Sequence, residues 1–355
     1  MKNVAIIGGG PIGLYTAIKL ARRGNKVTLF EKKSWPIDKV CGQGIMPSGV
    51  NNLLDIGIVF NPNTSFNFNS IEYIEDKYSL HGDLHGHAIG LKRTELSEQL
   101  FKIASLEPNI NLRPETKIDS INEKENHYTL SISSNELSFD FIFACDGLNS
   151  WTRKSTGHSK KRVFASRVGA RVHYTTPPWS NSVQVYWSNS IEAYVTPISN
   201  KQIEVAFLWF QDSIQSKSDL RNKLLSHFPL LKDKLDEKQS QNDFRGYGPF
   251  SEVSSTIANK NLFFIGDAYH FLDGITGEGI SLGMKASNII TDSFENFRTK
   301  HRVKIFLLYL NYSIWTHLAL LMSRSRSMRR VIFFLAKRNK RVFDYILKLN
   351  DLSLS

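Results

Sequence analysis

The first thirty residues restrict the fold more than any other part of the chain. Lys2 to Ile7 is a short apolar run of β type that breaks at Gly8. Residues 11 to 23 then carry apolar side chains at Leu14, Ala17, Ile18 and Ala21, the i, i+3, i+4, i+7 spacing of a helix buried on one face. Gly24 closes that helix, and Lys26 to Glu31 is a second strand ending on an acid. The unit is β-α-β. Its turn, Gly8-Gly9-Gly10-Pro11-Ile12-Gly13, fits G-x-G-x-x-G: Gly8 permits the tight turn, Gly10 lets a pyrophosphate approach the backbone, and Gly13 lets the helix pack on the strand. The helix N-terminus offers amide donors and partial positive charge to phosphates. Glu31 is placed to take the ribose hydroxyls of an adenosine and disfavours a 2′-phosphate, so FAD or NAD is expected rather than NADP.

Two further stretches end strands in Gly-Asp or Asp-Gly. Asp140 to Asp146, DFIFACD, is a buried-strand pattern running into Gly147; on local pattern alone it is equally a plain strand-to-turn junction. Asn261 to Ile265 is another apolar strand, ended by Gly266-Asp267. A helix pattern resumes near Glu278 with Ile280, Met284 and Ile290 facing inward. Asp267 suits hydrogen bonds from ribityl hydroxyls, while the amides at Gly277 to Gly279 and the helix N-terminus suit an electron-rich ring edge. Glycine there lets the backbone lie against a flat ring.

In order and spacing, GGGPIG with Glu31, DFIFACDGLNSWTR and GDAYHFLDGITGEGI resemble the sites of FAD-dependent class A flavoprotein monooxygenases, the para-hydroxybenzoate hydroxylase fold. That superfamily also holds geranylgeranyl reductases and flavin-dependent halogenases. The resemblance implies an α/β fold: a Rossmann-like FAD-binding domain, an inserted, mostly antiparallel β-sheet substrate domain, and C-terminal helices. It implies that Gly8, Gly10, Pro11, Ile12, Gly13 and Glu31 bind the ADP half of FAD, that Asp267 binds the ribityl and pyrophosphate region, and that Gly277, Gly279 and Ile280 lie beside the isoalloxazine. Asp146, Gly147 and Arg153 match a motif that touches FAD and the reducing nicotinamide nucleotide. Arg93, in GLKRTELSEQL, matches an arginine that reaches the flavin. The loop KVCGQGI, residues 39 to 45, is similar to the CGxG loop of the reductases, which makes Cys41 a pocket candidate; His270 is the other. Only one G-x-G-x-x-G and no redox CxxC occur, so NAD(P)H as co-substrate must dock transiently.

The layout assigns residues 1–75, 93–160 and 255–300 to the FAD-binding domain, 76–92 and 161–254 to the substrate sheet, and 301–355 to basic amphipathic helices. β-Patterns recur at Val168 to Tyr174, Ser182 to Trp187, Ile191 to Val195 and Ile203 to Phe210, with aromatic residues such as Tyr186, Trp187, Tyr194 and Trp209 fit for a core or an apolar cavity. The halogenase WxWxIP signature is missing: residues 192 to 198, EAYVTPI, hold no tryptophan, nor the one expected of the reductases. His81, His85 and His87 lack a partnered acid or cysteine at ligand spacing, so no metal is expected.

Of the two cysteines, Cys41 and Cys145, neither belongs to a disulfide framework, which fits a reducing, cytoplasmic setting. The N-terminal apolar run is too short for a signal peptide. The longest apolar stretch, Ile305 to Met322, is interrupted by Asn311, Ser313, Thr316 and His317, so a membrane span is not expected. The formal charge is +12, and from Arg298 onward thirteen basic residues face two acidic ones, 13 minus 2, or +11. Such a tail suits a lid over an apolar pocket, then contact with the inner face of a membrane, or a dock for an acidic protein; without aromatic interleaving, nucleic acid is not expected. The function implied is an NAD(P)H-dependent monooxygenase that hydroxylates an electron-rich, aromatic substrate through a flavin hydroperoxide. The alternatives are a C=C reductase of a lipid-like substrate and a maturation hydroxylase acting on an aromatic side chain of a partner protein.

Overall fold

The computed structural model describes residues 1–161, 167–214, 218–250 and 252–338, together with Asp344 and Leu347. One six-stranded sheet has the order Ala258–Asn259, Leu262–Phe264, Phe141–Ala144, Asn3–Ile7, Lys26–Phe30, Ile110–Arg113; all pairs are parallel except the one at the Ala258 edge. Its strands are apolar on both faces because both faces are covered. Val4 and Ile6 point to one side, where they meet Leu14 and Ile18 of α1 (Pro11–Ala21) and Leu96 and Leu100 of α3 (Arg93–Leu106). Between those helices in the chain comes α2 (Pro47–Asp55). Ala5 and Ile7 point to the other side, against Leu130 and Phe139 of a small three-stranded sheet. Each fully buried leucine or isoleucine in these layers stabilises the fold by about 1.5–3 kcal/mol. Ile7 pairs with Ala144, and Ala144 with Phe264, so three strands end at one level. The short α4 (Trp151–Ser155) follows the second of them.

An eight-stranded sheet stands over that edge. Its order is Arg245–Tyr247, Arg167–Tyr174, Gln202–Phe210, Ile191–Ser199, Val183–Ser188, Ser65–Glu75, Tyr78–Leu91, Gly44–Ile45, and only Val183–Ser188 with Ser65–Glu75 is a parallel pair. Two of these strands lie outside the segments assigned from the sequence to the substrate sheet. Residues 44–45 and 65–75 fall in the segment assigned to the first domain, yet they pair within the large sheet. The asparagines and phenylalanines that alternate in SFNFNS lie on the two sides of a strand. The outer face of the sheet buries Val172, Val205 and Phe207 against Leu224 and Leu225 of α5 (Leu220–Ser226) and Leu231 of α6 (Pro229–Lys232). The inner face buries Val185, Trp187 and Leu208 against Ile275 of the third glycine-rich loop.

Three C-terminal helices complete the chain: α7 (Gly279–Thr291), α8 (Thr299–Arg324) and α9 (Arg326–Arg338). α7 lies so close to α1 that a Cβ on Gly283 would stand 2.7 Å from Ile12 Cδ1. α8 crosses the third loop, where Tyr312 Oη donates to the Asp273 carbonyl at 2.8 Å. α9 is fastened by Arg329, whose buried guanidinium donates to Glu75 at 2.7 Å.

A wholly buried ion triad joins the large sheet to the third loop. Arg167 donates to Glu192 at 2.6 Å and pairs with Asp273 at 2.9 Å, all three side chains being at most 2% exposed. Removing one member of such a group leaves uncompensated charge. Arg167→Leu, which strands two carboxylates, is expected to cost about 3–5 kcal/mol in denaturant unfolding followed by circular dichroism; a cost under about 1 kcal/mol would contradict this role. Burial pushes the Asp273 carboxyl up from 3.8 to about 6, with Arg167 opposing it only in part. Between those values the folded chain holds a proton that the unfolded chain has released, so this group makes stability fall as pH rises. Asp273→Asn is expected to flatten the decline of the thermal midpoint between about pH 4 and about pH 6; an unchanged slope would assign the decline to other groups.

Candidate functional site

The three strand ends feed three turns. The Gly8 amide donates to the Phe30 carbonyl at 2.8 Å, the Cys145 amide to Ile7 at 2.8 Å, and the Ile265 amide to Ala144 at 2.9 Å. The first two turns touch through backbone alone: at Gly8, φ is +103° and a Cβ would stand 2.6 Å from Asp146 Cα. A Cβ on Gly13 would stand 1.8 Å from the Gly8 oxygen, so any larger residue drives α1 off the strand. Nothing lies within 4 Å of the Cβ position at Gly10. That opening faces the start of α1, which has no side-chain cap; Pro11 carries no N–H, so Ile12 is the first residue with an amide to offer.

Glu31, at the end of the second strand, accepts from the Gly9 amide at 2.7 Å and the Lys33 amide at 3.0 Å. It therefore shapes the turn as well as bordering it. Asp146 accepts from Ser150 Oγ at 2.6 Å and the Thr152 amide at 2.9 Å, which starts α4; burial raises its carboxyl above the usual range. Gly147 follows at φ +77°. Arg153 is fully buried and donates to the carbonyls of Leu148 at 2.6 Å and Ala268 at 2.9 Å. The motif arginine thus staples the second turn to the third.

Asp267 pairs with Lys39 Nζ at 2.8 Å, and that ammonium stands 3.6 Å from the Cβ position of Gly147. Lys39 therefore sits among the turns. Gly277, at φ +70°, has open space where a Cβ would be, and Gly279 and Ile280 start α7; a Cβ on Gly279 would stand 3.9 Å from Asp267 Oδ1. Arg93 is buried at the start of α3 and donates to Cys41 Sγ at 2.6 Å; its Nη1 is buried without an acceptor. His270 turns to α8, with its ring 5.3 Å from that of Tyr309 and Nε2 3.4 Å from Ser313 Oγ. Cys145 is buried, and burial drives its thiol far up, so it is no nucleophile.

The loop from Asp38 to Ile45 is clamped to the sheet. Arg171 donates twice to Asp38, at 2.9 and 2.7 Å, and also pairs with Asp243. Thr196 Oγ1 donates to the Gly42 carbonyl at 2.9 Å. Behind them lies Glu204, wholly buried, 3.4 Å from His173 Nε2; burial raises its carboxyl and His173 and Arg171 oppose that rise. Several buried polar atoms without partners belong to the segments that meet here: both amide atoms of Gln43, Ser48 Oγ, Arg93 Nη1, Thr276 Oγ1 and Ser281 Oγ. Gln43 is 1% exposed with φ +53°, a strained posture for glutamine. Unspent donors and acceptors beside open glycines fit a polar, flat, phosphate-bearing group. Lys39 and Gln43 escaped the sequence reading of the site, although the loop holding them was marked. Neither an isolated lysine nor a glutamine carries a local signal.

Residues 1–292 match a family described as FAD binding domain. Conditioned medium factor receptor 1 of Dictyostelium discoideum is 24% identical over 323 residues, covering 81% of this chain and 62% of that protein. The chain thus spans less than two thirds of that relative's length. Menaquinone reductase of Mycobacterium tuberculosis is 22% identical over 319 residues, 83% of this chain and 76% of the relative. In fold, the chain is similar to PqsL of Pseudomonas aeruginosa, titled a probable FAD-dependent monooxygenase, with a TM-score of 0.77, 16% identity, and coverage of 94% of this chain and 99% of that one. With its turns and strand ends so arranged, the chain belongs to the FAD binding domain family, on the class A flavoprotein monooxygenase fold.

Proposed function

We propose that this chain is an NAD(P)H-dependent monooxygenase that hydroxylates an apolar, electron-rich substrate beneath the large sheet. The observation that carries the reading is the chemistry of the sheet's inner face. Trp187 meets Tyr73 edge to face at 5.5 Å, Phe250 meets Phe271 at 5.3 Å, and Tyr194 spends its hydroxyl on the Ile275 carbonyl at 3.0 Å. The charges that share this face are engaged with one another in ion groups, Arg167 with Glu192 and Asp273, and Arg171 with Asp38 and Asp243. A guest there meets rings and methyl groups, which favours an aromatic or lipid-like molecule over a charged one.

The protein's own tasks are holding, orienting and excluding water. Gly8, Gly10 and the open N-terminus of α1 would hold the pyrophosphate, Glu31 the ribose, and Lys39 would counter the negative charge. Arg93 Nη1 and the Gln43 amide are the unspent groups at hand for polar ring atoms. Bound FAD supplies the electron transfer and the activation of dioxygen. The single dinucleotide turn leaves the nicotinamide nucleotide to dock from outside, and the cytoplasm, where it is replenished, is the compartment this reading implies.

A second reading, saturation of a C=C bond, rests on Cys41, held against Arg93 in the CGQG loop beside open space at Gly42. The menaquinone reductase relative favours it too. Product mass separates the two: with NADH or NADPH and air, aromatic and isoprenoid candidates are expected to gain about 16 Da by oxygen insertion. A gain of about 2 Da that persists without air would replace hydroxylation by reduction.

A further inference from the structure

α8 is apolar on two opposite sides. At about 100° per residue, Ile305, Leu308, Tyr312, Thr316 and Ser323 form the side buried against the body of the protein. Val303, Phe306, Leu310, Ile314, Leu318 and Leu321 form the opposite side, each between 38% and 58% exposed. A surface helix of a globular protein carries polar residues there. α9 repeats the arrangement: Arg329, Phe333 and Ala336 are buried, while Val331, Phe334 and Leu335 project outward, Phe334 at 66% exposure. Exposed apolar stripes of this kind, one on each of two successive helices, mark an interaction surface.

Cations border the stripes. Residues 298–338 hold ten lysines and arginines and no aspartate or glutamate. All but Arg329 are exposed, with Lys300 and Lys304 at the start of α8, Arg324 at its end and Arg330 on α9. Lysine and arginine stems extend along apolar surface and carry their charge to its rim, at headgroup level when the surface is a bilayer. We propose that the outer face of α8 and α9 lies in the surface of an anionic bilayer, with the stripes in the acyl boundary and the cations among the phosphates. An acidic protein would match the cations but leave no reason for a stripe of phenylalanines and leucines. By length and composition α8 is able to cross a membrane. Lying flat keeps the bonds that a crossing would break: Tyr312 to Asp273, Ser323 to Arg167 at 3.4 Å, and Arg329 to Glu75. The proposal is independent of the chemistry assigned to the flavin site.

The test is co-sedimentation of the full FAD-loaded chain with vesicles of phosphatidylcholine, alone or with about 30% phosphatidylglycerol. Binding is expected to be at least about tenfold stronger with the anionic lipid, and an alkaline carbonate wash is expected to release the protein. Phe306→Glu with Leu310→Glu, both at exposed positions, is expected to weaken binding by about tenfold or more while the flavin spectrum and thermal midpoint stay unchanged. Lys300→Gln with Lys304→Gln touches no buried side chain and is expected to weaken binding to the anionic vesicles alone. Equal binding to both vesicles, variants that bind like the parent, or retention through carbonate would overturn the proposal. So would a chain that ignores both vesicles and sediments as a dimer, which would give the face to a second copy.

Discussion

Three parallel strands that stop at one level, at Ile7, Ala144 and Phe264, are what the site is built on. Because the hydrogen-bond register aligns their ends, the turns that follow arrive side by side although they lie far apart in the chain. Contact between Gly8 and Asp146 is backbone to backbone, and Arg153 reaches from the second turn to the carbonyl of Ala268 in the third. A shift of one residue in any strand would move a turn by about 3.3 Å and break that contact. Glycine at Gly8 and Gly13 is therefore a steric requirement before it is a ligand-binding one.

The large sheet is fixed over this edge by buried charge rather than by apolar contact alone. Arg167 and Arg171, on one strand, reach two different loops: the first the third loop through Asp273, the second the loop before Cys41 through Asp38. Each ion taken from water carries a desolvation cost of several kcal/mol, so such pairs add little net stability over an apolar core. What they confer is position, since any slip between sheet and loop exposes an unpaired buried charge. The charged groups nearest the site are thereby held by one another.

Where the chain's local pattern and its tertiary role coincide, the sequence was legible. The strands predicted at Val168 to Tyr174 and Ile203 to Phe210 start one residue earlier in the structure, and the β-α-β unit is present with its helix ending at Ala21 and its second strand at Phe30. The place of Ser65–Glu75 in the large sheet was not legible, because one of its two partners, Val183–Ser188, lies more than a hundred residues away in the chain. The ion pairs were invisible for the same reason, since a lone arginine in a strand says nothing of its partner. In α8, apolar residues on two faces blur the helical period that would reveal either one, so only the structure separates the buried side from the exposed one.

Gly10 offers the most direct test. Its Cβ position is empty in the folded chain, and its backbone is extended at φ −68°, so valine there costs the unliganded fold little. It would, however, fill the room assigned to the pyrophosphate. Titration of the purified chain with FAD, followed by flavin fluorescence, is predicted to show one flavin per chain and, in Gly10→Val, an affinity weakened by about a hundredfold with an unchanged thermal midpoint of the unliganded protein. A parent chain that takes up no flavin, or a variant that binds it as tightly as the parent, would contradict the account.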